Sequence, residues 1–446
     1  MQESMPTRDA PAQLPEGARY AGEVRARWAW VQSSVWTERM LTALEQGVKG
    51  GKWHSLIDKV YGRGNLRAAF ARVKANRGAA GVDHQTTEMF ERRLEPNLER
   101  LQQRLRDGTY RPSALRRVWI PKPGRREKRP LGIPTVRDRV VQAALRSVLE
   151  PIFEGEFAEH SYGFRPGRGC KDGLRRVHRL LEAGYVYVVD ADLQGYFDSI
   201  PHEQLLVRIR GKVADGKVLA LVQALLQQEV LETAKRWRPE EGTPQGSVIS
   251  PLLANIYLDP LDHMMAREAF EMVRYADDFV ILCRTAQEAR RALRTVQRWV
   301  ASAGLTLHPD KTSIVDARER GGFDFLGYHF ERGYRWPSPK SIGRLKEAIR
   351  GKTRRTEGRS LDAIISDANR TLVGWFAYFQ YSHHTTFGRL DGYVRMRLRS
   401  ILRKRKGGRG RGRHRDHQRW PNAFFAEHGL FSLSAAYATA RQPAKR

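Results

Sequence analysis

The sequence is poor in cysteine, in long apolar stretches and in acidic residues. Cys170 and Cys283 are its only cysteines and form no CxxC pair, which excludes a disulfide framework and is typical of a reducing compartment. No run approaches the roughly 18 apolar residues of a membrane span. Residues 1–20 lack the apolar stretch of a secretory signal. We therefore expect a cytoplasmic protein with no membrane association.

The shortage of acidic residues gives the chain a large positive charge. Its 446 residues include 79 Lys and Arg against 49 Asp and Glu, a net charge of +30. The excess is uneven, because residues 331–446 hold 27 basic and 8 acidic residues, a net charge of +19. A polyanionic partner such as nucleic acid is the favoured interpretation. A basic protein of the membrane surface is the weaker alternative, since no isolated amphipathic helix dominates the pattern.

Local patterns predict a mixture of helices and short strands. Residues 115–135 read as a hairpin with a Pro/Gly/basic tip, and the β-branched run at 183–193 reads as a strand. FDFLGYHF, residues 323–330, predicts one short strand. Apolar residues at helical spacing predict a helix over 361–379, with Ser360 as its N-cap. The basic tract at 403–419 predicts a segment that is mobile until it meets phosphate.

Two acidic motifs stand out within apolar surroundings. Asp190 and Asp192 alternate with apolar residues in VVDADL, so both point to one face of a strand. Asp277 and Asp278 lie side by side in RYADDFVIL, at the tip of a strand–turn–strand pattern. Clustered carboxylates repel one another unless cations enter, and hard oxygen ligands select Mg²⁺ or Mn²⁺. Taken alone, however, a pair of aspartates after a strand is more often a solvated turn.

Eight ordered blocks make the sequence similar to a known family. Between about residues 60 and 330 these are NLRAAFARVKANRGAAGVD, VWIPKPGRREKRPLGIPT, SYGFRPGRG, VVDADLQGYFDSIPH, GTPQGSVISPLLANIYLDPLD, RYADDFVIL, GLTLHPDKT and FDFLGYHF. They resemble the blocks of a bacterial group II intron-encoded reverse transcriptase/maturase. The resemblance implies an α+β right-hand polymerase fold with fingers, a palm built on an antiparallel sheet, and a helical thumb/maturase region.

The resemblance also implies a division of the chain and a set of catalytic residues. The regions are an N-terminal extension at 1–50, fingers and palm at 51–330, a thumb/maturase domain at 331–402 and a basic nucleic-acid-binding tail at 403–446. Asp192 and Asp277 match metal ligands, and Asp278, the adjacent acid, completes the implied catalytic and metal-binding set. Two Mg²⁺ ions, or Mn²⁺ in their place, are the implied cofactors. Lys311 matches a lysine suited to protonating the leaving pyrophosphate. Asp190 is a weaker candidate.

Further residues match the family's nucleotide and template contacts. Phe197 would lie under the incoming sugar and leave no room for a 2′-hydroxyl, and Gln245 and Gly246 would approach the nucleotide. Lys122 and Arg129 would grip the triphosphate. The candidates for contact with the template or other RNA are Arg116, Phe164, Arg165, Arg403, Lys404, Arg405 and Lys406. For the basic residues, a solvated surface is the alternative interpretation.

The implied activity is RNA-directed DNA synthesis, together with binding of the intron RNA to assist splicing and mobility. The implied partners are intron RNA as template, a DNA primer or target, and dNTPs, whereas the oligomeric state is left open. Many relatives carry a Cys/His endonuclease domain, and the lack of any cysteine after Cys283 predicts its absence here. Two alternatives stay open: a non-polymerising RNA-binding maturase, and a domesticated reverse transcriptase that serves in defence.

Overall fold

The computed structural model describes residues 24–121, 128–412 and 414–441. Three predictions therefore fall wholly or partly outside the described residues: the triphosphate contact Lys122, the N-terminal extension at 1–23, and the basic tail at 413 and 442–446. Among the described helices, none combines the length and the apolar character that a bilayer crossing requires.

The first part of the chain builds a helical layer and the hairpin predicted at 115–135. Its elements are α1 (Glu38–Gln46), a 3-10 turn (Lys49–Gly51), α2 (Ile57–Tyr61), α3 (Arg63–Ala75), α4 (Thr87–Glu91), α5 (Leu94–Arg106), β1 (Leu115–Pro121), β2 (Lys128–Ile133) and α6 (Val136–Glu154). Strands β1 and β2 pair antiparallel, with Arg116 opposite Ile133 and Pro121 opposite Lys128. The hairpin prediction is confirmed.

The middle part supplies a central antiparallel sheet. Its elements are α7 (Cys170–Glu182), β3 (Tyr187–Asp192), a second 3-10 turn (Tyr196–Asp198), α8 (His202–Arg210), α9 (Gly216–Leu226), β4 (Val230–Glu232), β5 (Lys235–Trp237), α10 (Ser250–Arg267), β6 (Glu271–Tyr275), β7 (Asp278–Cys283), α11 (Ala286–Ser302) and β8 (Ser313–Asp316). The central sheet has the order β6-β7-β3-β8, and β4 and β5 extend the first hairpin into a sheet of order β2-β1-β4-β5.

The two faces of the central sheet have different neighbours. Val189 and Ile281 face the main core, to which buried residues of α10 and α11 also belong. Val188 and Val280 face a second core, which includes buried residues of α7. Side chains alternate along a strand, so the even-numbered aspartates of β3 share the face of Val188. The same alternation that buries both sheet faces therefore aligns the acidic side chains.

The last part of the chain is a small sheet followed by helices. Its elements are β9 (Phe323–Phe325), β10 (Tyr328–Glu331), β11 (Tyr334–Pro337), α12 (Pro339–Lys352), α13 (Leu361–Phe379), α14 (Thr385–Arg405), α15 (His414–Arg419), α16 (Asn422–Glu427) and α17 (Leu433–Ala440). The predicted helix at 361–379 is confirmed as α13, and the Ser360 hydroxyl accepts a hydrogen bond from the Ala363 amide. The predicted single strand at 323–330 is wrong. Leu326 and Gly327 both have positive φ and turn the chain, so β9 and β10 form a hairpin.

The basic tract at 403–419 is also more ordered than predicted. Helix α14 continues through the predicted boundary at 402/403, and α15 occupies 414–419. Arg403 Nη1 lies 2.5 Å from Asp416 Oδ2, and the Arg405 guanidinium donates to the Arg359 carbonyl. The predicted mobility is therefore wrong, since arginines of the tract make intramolecular bonds. Lys404 and Lys406 remain exposed.

Asp391 fastens the last helix to α14. Its buried carboxylate accepts hydrogen bonds from the Leu433 amide at 2.9 Å, the Ser434 amide at 3.1 Å and the Ser432 hydroxyl at 3.0 Å. We predict that Asp391→Ala destabilises α17 by about 2 kcal/mol, because buried N–H groups lose their acceptor. Hydrogen exchange of the α17 amides measures this free energy. Asp391→Asn should destabilise α17 less than Asp391→Ala does. Exchange rates of the α17 amides in Asp391→Ala that equal those of wild type would contradict this role of Asp391.

Candidate active site

The acidic side chains meet where three strand ends converge. Strands β6 and β7 form a hairpin whose turn holds Ala276 and Asp277, with Ala276 at a φ of 60°. Within the sheet, Asp192 lies directly opposite Asp278. Antiparallel pairing therefore brings Asp192, Asp277 and Asp278 together although some 85 residues separate the two motifs in the sequence.

This edge of the sheet opens into a cleft of about 610 Å³. The cleft also borders the first hairpin, the second 3-10 turn and the loop that precedes α10. It brings together eight of the residues singled out from the sequence: Arg129, Phe164, Asp192, Phe197, Gln245, Gly246, Asp277 and Lys311. Asp278 does not line the cleft but lies directly opposite Asp192 on the neighbouring strand. Apart from Asp278, the predicted catalytic and nucleotide-contact residues within the described chain thus share one space.

The pKa values report an unbalanced cluster of negative charge. Burial raises the pKa of Asp278 to about 7, with further contributions from Asp190, Asp277 and Asp192. Burial, Asp324 and Asp192 likewise raise the pKa of Asp190 to about 7. The pKa of Asp277 is raised mainly by burial and then by Asp192. Each of these carboxylates would ionise more readily if a cation entered the cluster.

Among the described residues, two cations at the cleft offset part of this negative charge. Lys311 forms an ion pair with Asp192 through its ammonium group. The positive charges of Arg129 and Lys311 both lower the pKa of Asp277, although burial and Asp192 outweigh them. These cations offset part of the repulsion and leave the cluster short of positive charge.

The donor set suits a hard divalent cation whose coordination a ligand completes. Within residues 24–121, 128–412 and 414–441, no group of three or more His, Cys, Asp or Glu side chains is arranged to hold a metal ion by itself. Mg²⁺ is commonly held by one or two carboxylates plus the phosphates of a substrate. Asp192 and Asp277 provide such a pair on the cleft wall. Their carboxylate oxygens and the raised pKa values are compatible with that arrangement.

Phe197 and Gln245 are held next to each other by backbone contacts. The Thr243 amide donates to the Phe197 carbonyl at 2.6 Å, and the Gly242 amide donates to the Ile200 carbonyl at 2.8 Å. Gln245 Nε2 donates to Asp198 Oδ2 at 2.9 Å, which orients the amide at the cleft. Asp198 was not foreseen from the sequence, although its position directly after Phe197 was visible.

Gly246 is needed for a close approach between two chain segments. Its φ is +104°, and a Cβ atom there would lie 2.6 Å from the Gly132 carbonyl oxygen of β2. The Gly132 amide also donates to the Gln245 carbonyl at 2.7 Å. The glycine therefore seats the Gln245 loop against the first hairpin, which explains its residue type without any ligand contact.

A buried arginine fixes the turn that carries Asp277. Arg274 Nε donates to Asp262 Oδ1 at 2.8 Å, and its Nη1 donates to the Ala276 carbonyl at 2.9 Å. Arg274 Nη1 also donates to Asn255 Oδ1, and Asn255 Nδ2 donates to the Gly163 carbonyl. This fully buried network holds both sides of the turn. The sequence motif RYADD contained Arg274, but nothing in its spacing revealed the distant acceptors.

Two predicted template contacts are placed elsewhere by the structure. The predicted template contact of Arg165 is wrong, because its side chain is 2% exposed and pairs with Glu154 at 2.8 Å. Its remaining nitrogen donates to the carbonyls of Ala158 and Ser161, so it is a buried structural residue. Arg116 is half-buried and donates to the Ala80 carbonyl at 2.6 Å, outside the cleft. Phe164, in contrast, is 43% exposed at the cleft.

His308 is a cleft residue that the sequence did not single out. Its amide donates to the Asp192 carbonyl at 2.8 Å, so the loop of Lys311 is bound to the end of β3. Its buried Nδ1 has no hydrogen-bond partner among the described residues. The motif HPDKT marks this loop, but only the fold shows that it returns to Asp192.

Comparison with known proteins agrees with this geometry. Residues 120–330 match the family model described as "Reverse transcriptase (RNA-dependent DNA polymerase)", and residues 342–420 match "Group II intron, maturase-specific domain". The chain thus carries an RNA-directed DNA polymerase domain with the predicted α+β right-hand polymerase fold, followed by a maturase domain.

Similarity to individual proteins defines the family. The chain is 32% identical over 348 residues to protein YkfC of Escherichia coli K12, covering 69% of this chain and 86% of YkfC. It is 39% identical over 196 residues to the group II intron-encoded protein LtrA of Lactococcus lactis subsp. cremoris, covering 44% of this chain and 32% of LtrA. The chain belongs to the family of group II intron-encoded reverse transcriptases and maturases.

Solved structures show a more distant likeness. One from a partial Cas6-RT-Cas1–Cas2 complex is 26% identical, with a TM-score of 0.37, and covers 56% of this chain and 41% of that chain. The telomerase of Candida albicans is 11% identical, with a TM-score of 0.42, and covers 71% of this chain and 64% of that chain.

The charge cluster predicts a pH-dependent stability of the metal-free protein. Because burial raises the pKa of Asp278 from 3.8 to about 7, ionising it destabilises the folded state. This destabilisation grows as the pH rises from about 4 to about 7 and is complete above that. We therefore expect Asp278→Asn to raise the melting temperature in EDTA, more at pH 8 than at pH 5.

The exposed Glu203 provides the matched control, since Glu203→Gln also removes one negative charge. Scanning calorimetry of the three proteins at both pH values measures the effect. A melting temperature of Asp278→Asn equal to or below that of wild type at pH 8 would contradict the proposed repulsion.

Proposed function

We propose that the cleft adds deoxynucleotides to the 3′ end of a DNA primer paired with intron RNA. The primer 3′-oxygen forms a bond to the α-phosphorus of the dNTP, and the bond between the α-phosphorus and the bridging oxygen breaks. The 3′-hydroxyl loses its proton, and pyrophosphate departs with the bonding electrons. The convergence of Asp192, Asp277, Phe197 and Gln245 in one cleft carries the proposal.

Asp192 and Asp277 are the residues that would hold Mg²⁺, or Mn²⁺ in its place. When bound, a pair of such ions stabilises the attacking oxygen and the leaving pyrophosphate. Arg129 faces the same space and suits the triphosphate oxygens. Lys311, beside Asp192, is suited to neutralise or protonate the departing pyrophosphate. Lys122 would join Arg129 in this role.

Phe197 and Gln245 would determine which nucleotide enters. The ring of Phe197 lies on the turn next to Asp198, where its bulk would meet the 2′ position of the sugar. Gln245 is oriented by Asp198 and presents its side chain to the same cleft. Phe164 would contact the template, since its ring is exposed at the same cleft.

The C-terminal part would bind the intron RNA and assist splicing and mobility. Its net charge of +19 supplies the neutralisation that close-packed RNA phosphates require. We propose fingers and palm at 51–330 and a thumb/maturase region thereafter, with exposed Lys404 and Lys406 as RNA contacts. Because β10 pairs with β11, the proposed boundary at residue 330 falls within a single small sheet. A bacterial cytoplasmic location suits these partners and the two free cysteines.

A non-polymerising maturase is the alternative from another functional class. It would bind intron RNA without needing paired carboxylates near an anion. The intact cleft favours the polymerase. Buried aspartates that repel one another destabilise the fold, and a protein that only binds RNA has no use for them. A domesticated reverse transcriptase that acts in defence would use the same cleft to copy a different template.

Replacing Asp277 separates the polymerase from the maturase alternative. We expect Asp277→Ala to lower primer extension on an RNA template by about 1,000-fold, because the transition state would lose charge stabilisation of several kcal/mol from a metal ion. RNA affinity should be retained, because a negative charge leaves the cleft. Glu203→Ala is the control for charge removal, and primer extension with dNTPs and Mg²⁺ is the assay. Wild-type activity of Asp277→Ala would refute the assignment, whereas an inactive wild type that binds RNA would favour the maturase.

Replacing Phe197 tests sugar selection. We predict that Phe197→Ala increases incorporation of ribonucleotides relative to deoxynucleotides by about tenfold or more, since the space for a 2′-hydroxyl opens. Phe197→Tyr keeps the bulk of the ring and should retain discrimination. Single-nucleotide insertion with matched dNTP and rNTP gives kcat/KM for each. An unchanged ratio in Phe197→Ala would show that another residue limits the sugar pocket.

A further inference from the structure

A second cavity of about 340 Å³ lies between α7 and the chain that follows the central sheet. One wall is a single face of α7, with side chains at three- and four-residue intervals: Lys171, Leu174, Arg175, His178 and Arg179. The opposite wall combines aromatic rings with one more cation: Tyr328, Arg335, Tyr378 and Tyr381. We call this space the seam cavity. Within the described part of the chain, it shares no lining residue with the cleft of Asp192 and Asp277.

The seam cavity has an excess of positive charge. None of the described residues that line it is acidic. Arg175 is balanced by Asp172 at 2.6 Å, and His178 lies 3.3 Å from Glu182. Lys171 and Arg179, in contrast, have no ion-pair partner within the part of the chain that the structure describes. Their ammonium and guanidinium groups are therefore available to an anion.

Arg335 adds a third available cation. Its Nε donates to the Tyr381 carbonyl at 2.8 Å, and its guanidinium carbon lies 5.5 Å from the centre of the Tyr381 ring. Its two terminal nitrogens have no hydrogen-bond partner among the described residues. The arginine is thus oriented by one bond and keeps its remaining donors for a ligand.

The tyrosines form a rigid aromatic wall. The Tyr328 hydroxyl donates to the Tyr378 carbonyl at 2.6 Å, and the Tyr378 hydroxyl donates to the Leu326 carbonyl at 2.7 Å. These bonds fix both rings, so they offer faces and no free hydroxyl. Tyr381 is 49% exposed, which leaves its ring accessible to a planar group. Aromatic faces combined with cations are the surface on which unpaired bases stack.

The cavity joins the two family segments of the chain. Helix α7 lies within the segment that matches the reverse transcriptase model, whereas Tyr378 and Tyr381 lie within the maturase-specific segment. A ligand that touched both walls would fix the position of the C-terminal helices relative to the central sheet.

We propose that the seam cavity binds one unpaired nucleotide of a single-stranded RNA segment. The base would stack on Tyr381, and the phosphates on either side would meet Arg179, Lys171 and Arg335. The volume suits one nucleotide and is too small for a duplex. This inference rests on the proposed function in that it takes RNA as the partner. The inference goes beyond the proposed function by naming a site outside the cleft and the form of RNA that this site holds.

Binding of a fluorescein-labelled oligouridylate, followed by anisotropy, tests the proposal on the full-length chain. Arg179→Glu and Lys171→Glu should each weaken binding about tenfold and lower the salt dependence by about one counterion per lost phosphate contact. Arg290→Glu is the matched control, since Arg290 is an exposed arginine of α11, which packs on the other face of the central sheet. Affinity losses equal to that of the control would overturn the site.

A second pair of variants tests the stacking. Tyr381→Ala should weaken oligouridylate binding about tenfold, and Tyr381→Phe should restore most of that loss because the ring is kept. With 4-thiouridine in the oligonucleotide, crosslinks mapped by mass spectrometry should fall on the peptide that contains Tyr378 and Tyr381. Crosslinks confined to other peptides would contradict the proposal.

Two further outcomes separate the site from the proposed function. Failure of the wild-type protein to bind the oligouridylate, while it still extends a DNA primer on an RNA template, would overturn the seam cavity as an RNA site and leave the proposed function standing. Uridine monophosphate should compete poorly, since it lacks the flanking phosphate. Competition by uridine monophosphate as strong as that by the oligonucleotide would overturn the RNA site in favour of a free mononucleotide.

Discussion

Mutual repulsion among aspartates at one edge of the central sheet is the constraint around which the structure is arranged. Antiparallel pairing sets Asp192 against Asp278, and the tight turn adds Asp277. Burial then raises the pKa of Asp278 to about 7, so the cluster is poorly balanced by the protein alone. Lys311 offsets part of the charge from the edge of the cleft. The remaining imbalance is what a divalent cation and its phosphate ligands would satisfy.

Holding such a cluster requires a rigid support, and the buried network around Arg274 provides it. Arg274 is paired with Asp262 and donates to the carbonyl of Ala276, so the turn cannot relax away from Asp192. On the other side of the cleft, Gly246 allows β2 to press against the loop of Gln245. These two contacts connect the carboxylates, the nucleotide side of the cleft and the first hairpin into one assembly. Replacing either support would disturb the site without touching a ligand.

The sequence predicted those features that local pattern or ordered motifs encode. The hairpin at 115–135, the helix at 361–379 with its Ser360 cap, and the gathering of Asp192, Asp277, Phe197 and Gln245 in one cleft are all present. Failures arose where a distant partner decided the outcome. Arg165 resembles a template contact in sequence, yet Glu154 and two backbone carbonyls hold it in the interior. Likewise, Asp416 orders a basic tract whose composition alone predicts mobility.

The proposed polymerase requires Asp192 and Asp277 to hold divalent cations whose coordination the nucleotide completes. Electron paramagnetic resonance of Mn²⁺, with an RNA template, a chain-terminated DNA primer and the matching dNTP, tests it most directly. We expect two bound Mn²⁺ ions per chain in this complex, weaker binding when the dNTP is omitted, and loss of tight binding in Asp192→Asn. Mn²⁺ binding to Asp192→Asn that equals wild type, with and without the dNTP, would contradict this role of the two aspartates.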